Sequence, residues 1–302
     1  MTRRWLELRV RDRAAAEPSP LLVEGVLALG ARAAEEIDGW YVTAVEEPDD
    51  RDAFVARMAA MLRELTGSDG IEIRTEWRGH EDWAETWRRG LAPRRITDRV
   101  VVRPSWFPPS SAERRALEQP AGGAAGRPAV EIVIDPGMAF GTAEHGTTRG
   151  CLRLLDRTLK PGDRVLDVGS GSGILAIAAA LLGAADVVAL EADALACEAL
   201  RENLERNEVT DRVRCVERMV SADELARMGP VSGVVANIES GPLATLMDGF
   251  AGAVEAGGWL ILSGILDTEW ATMCARAGAA GFRLRETDAE DEWRSGAFVR
   301  DR

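Results

Sequence analysis

Residues 165–180 read VLDVGSGSGILAIAAA. A short apolar run ends at Asp167, three glycines follow within five residues, and an apolar helical stretch begins. The stretch reads as a buried strand, a tight loop and a helix whose N-terminal amides face whatever the loop holds.

The surrounding chain repeats this unit. RVLDV (Arg164–Val168) precedes a helix over Ile174–Leu182, and DVVALE (Asp186–Glu191) precedes one over Ala194–Asn207. VRCVE, VSGVVAN, GGWLILSG and GFRLRET follow, with helices between most of them. Upstream, VEIVIDP (Val130–Pro136) leads through a glycine-rich segment into a helix around Thr147–Leu159. Near-continuous apolar strands alternating with helices specify a parallel sheet covered on both faces. Its ligand belongs at the carboxyl ends of the strands.

The first 78 residues follow another pattern. WLELRV alternates as a strand, and SPLLVEGVLALGARA (Ser19–Ala33) has helical spacing. AEEIDGWYVTAVEE folds back at Asp38-Gly39, a hairpin dipeptide. DDRDAFVARMAAMLREL is a helix behind an Asp cap and ahead of Gly67, and IEIRTEW alternates again. The order β-α-β-β-α-β is the ferredoxin-like unit. We therefore expect three segments: a ferredoxin-like domain over 1–78, a helical connector over 79–92, and a doubly wound α/β domain over 93–302. In the connector, Trp83 and Trp87 share a helical face, a spacing that packing explains more simply than ligand binding. The Pro-, Ser- and Gly-rich stretch 108–128 reads as a loop.

Composition narrows the function. A formal net charge of −13 argues against naked nucleic acid as the main partner. It suits a cationic cofactor or a basic protein, and equally suits a protein merely kept soluble by its acidity. The chain has no run of eighteen apolar residues, and its start lacks a signal-peptide core. Four scattered cysteines and two histidines do not make a zinc site. We expect a cytoplasmic protein with no bound metal, no membrane association and a monomeric state.

The glycine loop identifies the ligand class. Gly169, Gly171 and Gly173 follow Asp167 as D-V-G-S-G-S-G. The dinucleotide fingerprint G-x-G-x-x-G would place its third glycine one residue later. A carboxylate immediately before the loop would repel a pyrophosphate but welcome a cation. S-adenosylmethionine carries a sulfonium and an α-ammonium and has no phosphate. Glu191 ends the second strand, where an acid accepts hydrogen bonds from ribose hydroxyls, in this cofactor or in NAD. Asn237 ends the fourth, in VVANIESGPL. It either caps the next helix or presents an amide that orients a nucleophilic amine. His145 is the one histidine near the glycine-rich segment; it either titrates as a base or hydrogen-bonds the loop in place.

With these residues in view the chain resembles the ribosomal protein L-eleven methyltransferases of the PrmA type. The resemblance runs through EDWAETW, RPSW, DPGMAFGTAEHGTT, DVGSGSGILAIAA, VVANIESGPL, LSGIL and EDEWRSG. It implies a seven-stranded Rossmann-like methyltransferase domain behind a ferredoxin-like domain that recognises the ribosomal protein. It also implies trimethylation of lysine side chains and of the α-amine. Cofactor contacts carried over by motif position fall on Thr148, Gly169, Glu191 and Asn237, with Phe140, Gly141 and Thr142 in the segment expected to close over the cofactor. The chain departs from the family pattern in three places. The family's G-T-G-T-H-P-T-T becomes Gly141-Thr142-Ala143-Glu144-His145-Gly146-Thr147-Thr148, its ribose-site Asp becomes Glu191, and its N-I-L-A becomes Asn237-Ile238-Glu239-Ser240. Two alternatives keep parts of this reading: the same chemistry on another protein, or a cofactor-binding ribosome-assembly factor without turnover.

Overall fold

The computed structural model describes residues 4–14, 22, 25–26, 34–37, 39–48, 50–79, 93–107, 129–135, 141 and 143–301. The chain divides into two units, Met1–Gly90 and Leu91–Arg302.

In the first unit, β1 (Arg4–Asp12) lies centrally and β2 (Ala34–Ile37) and β3 (Trp40–Glu46) form the hairpin turned at Gly39. Helix α1 (Arg51–Thr66) follows, then β4 (Ile71–Gly79). The antiparallel sheet has the order β2-β3-β1-β4, the ferredoxin-like arrangement. Asp50 caps α1, its carboxylate accepting from the Asp52 and Ala53 amides at 3.0 Å, and Gly67 ends the helix with φ +67°. Met58 and Leu62 of α1 pack on Leu6, Leu8 and Val10 of β1 in one apolar core. Of the predicted first helix, Leu22, Gly25 and Val26 are described; all three are helical, and Leu22 and Val26 join this core. The connector helix with Trp83 and Trp87 and the loop 108–128 lie outside the described residues.

The second unit begins with a small sheet of β5 (Arg94–Arg95), β6 (Val100–Arg103) and β7 (Val130–Val133). Here the structure departs from the sequence reading, which grouped the strand at Val130 with the large sheet: β7 pairs in parallel with β6. Asp135 then ties the two ends together, its carboxylate accepting from the Ser105 amide (2.6 Å) and hydroxyl (2.8 Å).

The large sheet is built from α2 (Gly146–Thr158), β8 (Arg164–Val168), α3 (Ile174–Leu181), β9 (Asp186–Glu191), α4 (Ala194–Arg206), β10 (Val213–Glu217), α5 (Ala222–Arg227), β11 (Val231–Asn237), α6 (Ser240–Ala253), β12 (Val254–Leu266), α7 (Asp267–Ala279), β13 (Phe282–Glu290) and β14 (Trp293–Arg300). Its seven strands run in the order β10-β9-β8-β11-β12-β14-β13. Successive residues of a strand enter opposite cores, as the alternation of a doubly covered sheet requires. Val165, Val187 and Val235 pack with α2, α3 and α4, while Leu166, Val188 and Val234 pack with α5, α6 and α7. The sheet is parallel except at β14, which runs antiparallel to both β12 and β13. A two-residue Asp291-Glu292 turn makes this reversal, with Asp291 at φ +50°. Neither residue is a glycine or asparagine, so the turn carries no sequence signal and the expectation of a wholly parallel sheet fails there.

Candidate functional site

The order β9-β8-β11 puts the ends of β9, β8 and β11 side by side, and with them Glu191, Asp167 and Asn237. The loop after β8 reverses the chain within five residues. Gly169, Gly171 and Gly173 all adopt positive φ (+73°, +53° and +83°), backbone that other residues enter at a cost. A Cβ at Gly169 would stand 2.3 Å from Ile238 Cγ2, and one at Gly173 would stand 2.9 Å from Leu200 Cγ. The loop is therefore a cradle bounded by close packing as well as by conformation.

Asp167 is fully buried. Its Oδ2 accepts from the Ala176 amide in the first turn of α3 at 3.0 Å, and its Oδ1 has no partner. Burial pushes its carboxyl up to about 7 and neighbouring Glu191 adds to this, against the hydrogen bond from the Ala176 amide; the Ser170 hydroxyl donates to the Asp167 backbone carbonyl. A buried carboxylate oxygen without a donor is costly unless a donor or a cation arrives.

Glu191 is held differently. Its Oε2 accepts from the Gly171 amide at 2.8 Å, and its Oε1 accepts from the Ala192 and Asp193 amides at 2.8 and 3.0 Å. These three backbone donors fix the carboxylate against the glycine loop. One lone pair remains unused, on Oε2.

Asn237 does not cap the following helix, whose N-cap is Glu239. Its Nδ2 reaches the Thr148 hydroxyl at 3.4 Å, and its Oδ1 is buried without a partner. Thr148 is fully buried in the first turn of α2. His145 caps that helix: its Nδ1 lies 2.7 Å from Thr147 Oγ1 and accepts from the Thr147 amide at 3.4 Å, while its ring packs edge-on against Trp293. The histidine therefore fastens the loop to the helix. Gly141 joins the same neighbourhood, since its carbonyl accepts from Ser172 Oγ at 2.5 Å and its φ is +105°. Phe140 and Thr142 lie outside the described residues.

Of the two substituted positions after Asn237, the first is exposed and the second half-buried. Glu239 is exposed with no side-chain cap bond, and the Ser240 hydroxyl donates to Glu269 of α7 at 2.9 Å. Sequence reasoning missed three participants: Ser172, Ile238 and Arg149. Ser172 and Ile238 act through tertiary contact with glycines. Arg149 donates to the Ala143 carbonyl at 2.9 Å and also to that of Glu144. Only the fold brings these groups together.

The site thus combines two unsatisfied buried oxygens, an anchored carboxylate and a glycine cradle at adjacent strand ends. That donor set suits a ligand with cationic and hydroxyl groups and no phosphate. S-adenosylmethionine, with its sulfonium, ammonium and ribose hydroxyls, is a ligand of that kind.

Known proteins resemble this chain over most of its length. The family model described as Ribosomal protein L11 methyltransferase (PrmA) matches residues 28–301. A Ribosomal protein L11 methyltransferase from Pelotomaculum thermopropionicum is 40% identical over 237 residues, spanning 78% of this chain and 71% of that protein. One from Pseudomonas putida is 39% identical over 249 residues, spanning 81% and 77%. The crystal structure of a ribosomal protein L11 methylase from Lactobacillus delbrueckii subsp. bulgaricus superposes with a TM-score of 0.58 at 26% identity, covering 70% of this chain and 99% of that one. This chain belongs to the PrmA family of methyltransferases.

Proposed function

We propose that the protein transfers methyl groups from S-adenosylmethionine to lysine side-chain and α-amino groups of ribosomal protein L11. The observation that carries this reading is the pair of orphaned oxygens, Asp167 Oδ1 and Asn237 Oδ1, at the ends of neighbouring strands beside a three-glycine loop. S-adenosylmethionine, when bound, supplies an electrophilic methyl group on a sulfonium.

The chain's own residues hold and orient. Gly169, Gly171 and Gly173 let the backbone approach the cofactor, Glu191 takes the ribose hydroxyls, and Thr148 with Gly141 borders the pocket. The acceptor must be a neutral amine. A lysine of pKa ~10.4 is neutral in only about one part in 2,500 at pH 7, a handicap of roughly 4–5 kcal/mol; an α-amine near ~8 loses only about 1 kcal/mol. The Asn237 amide oxygen accepts from an N–H and aims the lone pair, and it stabilises an ammonium less than a carboxylate would. A carboxylate there would raise the amine's pKa. Glu239 does not do so, because its exposure keeps it at the rim, where it attracts a basic substrate. Catalysis is then mainly positioning and desolvation, with no dedicated base.

In this reading residues 1–78 recognise the ribosomal protein, 79–92 connect, and 93–302 carry the chemistry. The deciding experiment incubates purified L11 with the protein and S-adenosylmethionine and weighs the product. Mass gains in steps of one methylene, mapped to lysines or the amino terminus, support the reading. No gain, with cofactor binding intact, rejects L11 as the substrate and points to Glu239 and Ser240 as marks of another target. Deleting residues 1–78 should abolish methylation of intact L11 and spare cofactor binding; normal methylation by the truncated protein contradicts the role given to that segment.

A further inference from the structure

Ala143 has φ +64° and is 1% exposed. For a residue with a Cβ this backbone costs roughly 1–2 kcal/mol, and it persists only where surrounding contacts over-determine it. The Ala143 methyl packs in the core of the second unit, and one side chain holds its carbonyl. Arg149, one turn along α2, donates from Nη1 to the carbonyls of Ala143 (2.9 Å) and Glu144. Its Nε donates to Glu290 Oε1 at 2.8 Å, and its Nη2 donates to the same oxygen. Glu290, the last residue of β13, is held in turn by Arg153 Nη2 on Oε2 at 2.7 Å. The two arginines keep its carboxyl near 2, mainly through the Arg149 hydrogen bond, so it stays charged at every working pH.

Two glycines make room for this arrangement. A Cβ on Gly146 would stand 3.2 Å from Glu290 Cβ, so the bare first position of α2 lets Glu290 close on the helix. At the other end of the segment, Gly141 is tied to the glycine loop through Ser172. Gly141 is thus fastened to the glycine loop and residues 143 and 144 to a distant strand through Arg149, beside the His145 cap and the Arg94–Glu144 ion pair.

We propose that Arg149, clamped by Glu290, is a positioning residue for the cofactor: it holds Ala143 in its left-handed conformation and so keeps Gly141 and residues 143–145 against the glycine loop. The proposal rests on the S-adenosylmethionine reading above. A planar guanidinium is suited to this because it donates to two carbonyls and a carboxylate at once, which an ammonium at the end of a flexible stem does less well.

The test uses the full chain and measures S-adenosylmethionine affinity by calorimetry, with thermal melts and hydrogen exchange of the 141–146 amides in parallel. Arg149→Ala should weaken binding about tenfold, which is about 1.4 kcal/mol, and speed exchange in 141–146. Glu290→Gln should lie between it and the wild type, and it replaces Arg149→Ala should that variant not fold. Adding Ala143→Gly to Arg149→Ala should restore most of the lost affinity, because glycine holds positive φ without a clamp. Affinity of Arg149→Ala within twofold of wild type, unchanged exchange, or no recovery in the double variant would each overturn the proposal. Failure of the wild type to bind S-adenosylmethionine is a separate result that overturns the parent reading; the exchange measurement then still decides whether the clamp exists.

Discussion

Two loops border the candidate site, and they reach similar backbone geometry by different means. The loop after β8 has glycines at 169, 171 and 173, all at positive φ. The loop before α2 also turns through positive φ, but at Ala143, and a guanidinium anchored on β13 holds it there. The first is specified by its own residues. The second is specified by Arg149, six positions on, and by Glu290, 141 positions beyond Arg149. Local composition can therefore announce one wall of a pocket and stay silent on the other.

That contrast yields predictions, beginning with the largest effect. Gly169→Ala introduces a Cβ 2.3 Å from Ile238 Cγ2 in left-handed backbone. The conformation costs roughly 1–2 kcal/mol and the overpacking a further ~1–3. Thermal denaturation should show a marked fall in melting temperature, and cofactor binding should be lost; a variant with wild-type melting and binding breaks the claim that this loop is fixed by glycine itself.

Asn237→Ala removes an oxygen with no internal partner, so the fold should tolerate it. Turnover should fall by about 10²-fold through lost positioning, with cofactor affinity changed by only a few-fold. An unchanged rate in a steady-state assay sinks the orienting role.

Asp167 provides a pH dependence that the second loop lacks. Its folded-state value of about 7 lies above the ordinary 3.8. The native state therefore binds the extra proton between about pH 4 and 7, and stability falls as pH rises through that window, by no more than about 4 kcal/mol. A cation bound nearby lowers that value, so cofactor binding near pH 6.5 should release a fraction of a proton. Titrations in two buffers of different ionisation enthalpy measure this directly, and zero release separates Asp167 from the ligand.

The smallest effect is expected for Ala143→Gly in the otherwise intact chain. Relief of left-handed strain and the greater freedom of glycine in the unfolded state oppose one another, leaving stability within about 1 kcal/mol. Together with Gly169→Ala it forms an exchange of the same two residues between the loops. A large loss from Ala143→Gly would mean that the methyl group itself supports the core.

Much of this is legible in the sequence. The strand-loop-helix unit at 165–180 announced the glycine cradle, and the apolar runs announced the sheet. Asp50 and Gly67 marked the ends of α1 because capping chemistry is local. What escaped depends on tertiary contact. The antiparallel course of β14 follows from a turn of two acidic residues, and the departure of β7 to a separate sheet follows from pairing with β6. Asn237 reads equally as a helix cap until the cap is seen to be Glu239. The Arg149–Glu290 clamp joins side chains that periodicity and spacing cannot pair.

The central claim is that the paired strand ends and the glycine loop hold S-adenosylmethionine. Its most direct test is a calorimetric titration of the cofactor into the full-length wild type, Asn237→Ala and Gly169→Ala, each checked for folding. Saturable one-to-one binding in the first two and its loss in a folded third is the predicted result. No binding by the wild type, or equal binding by Gly169→Ala, would contradict the account.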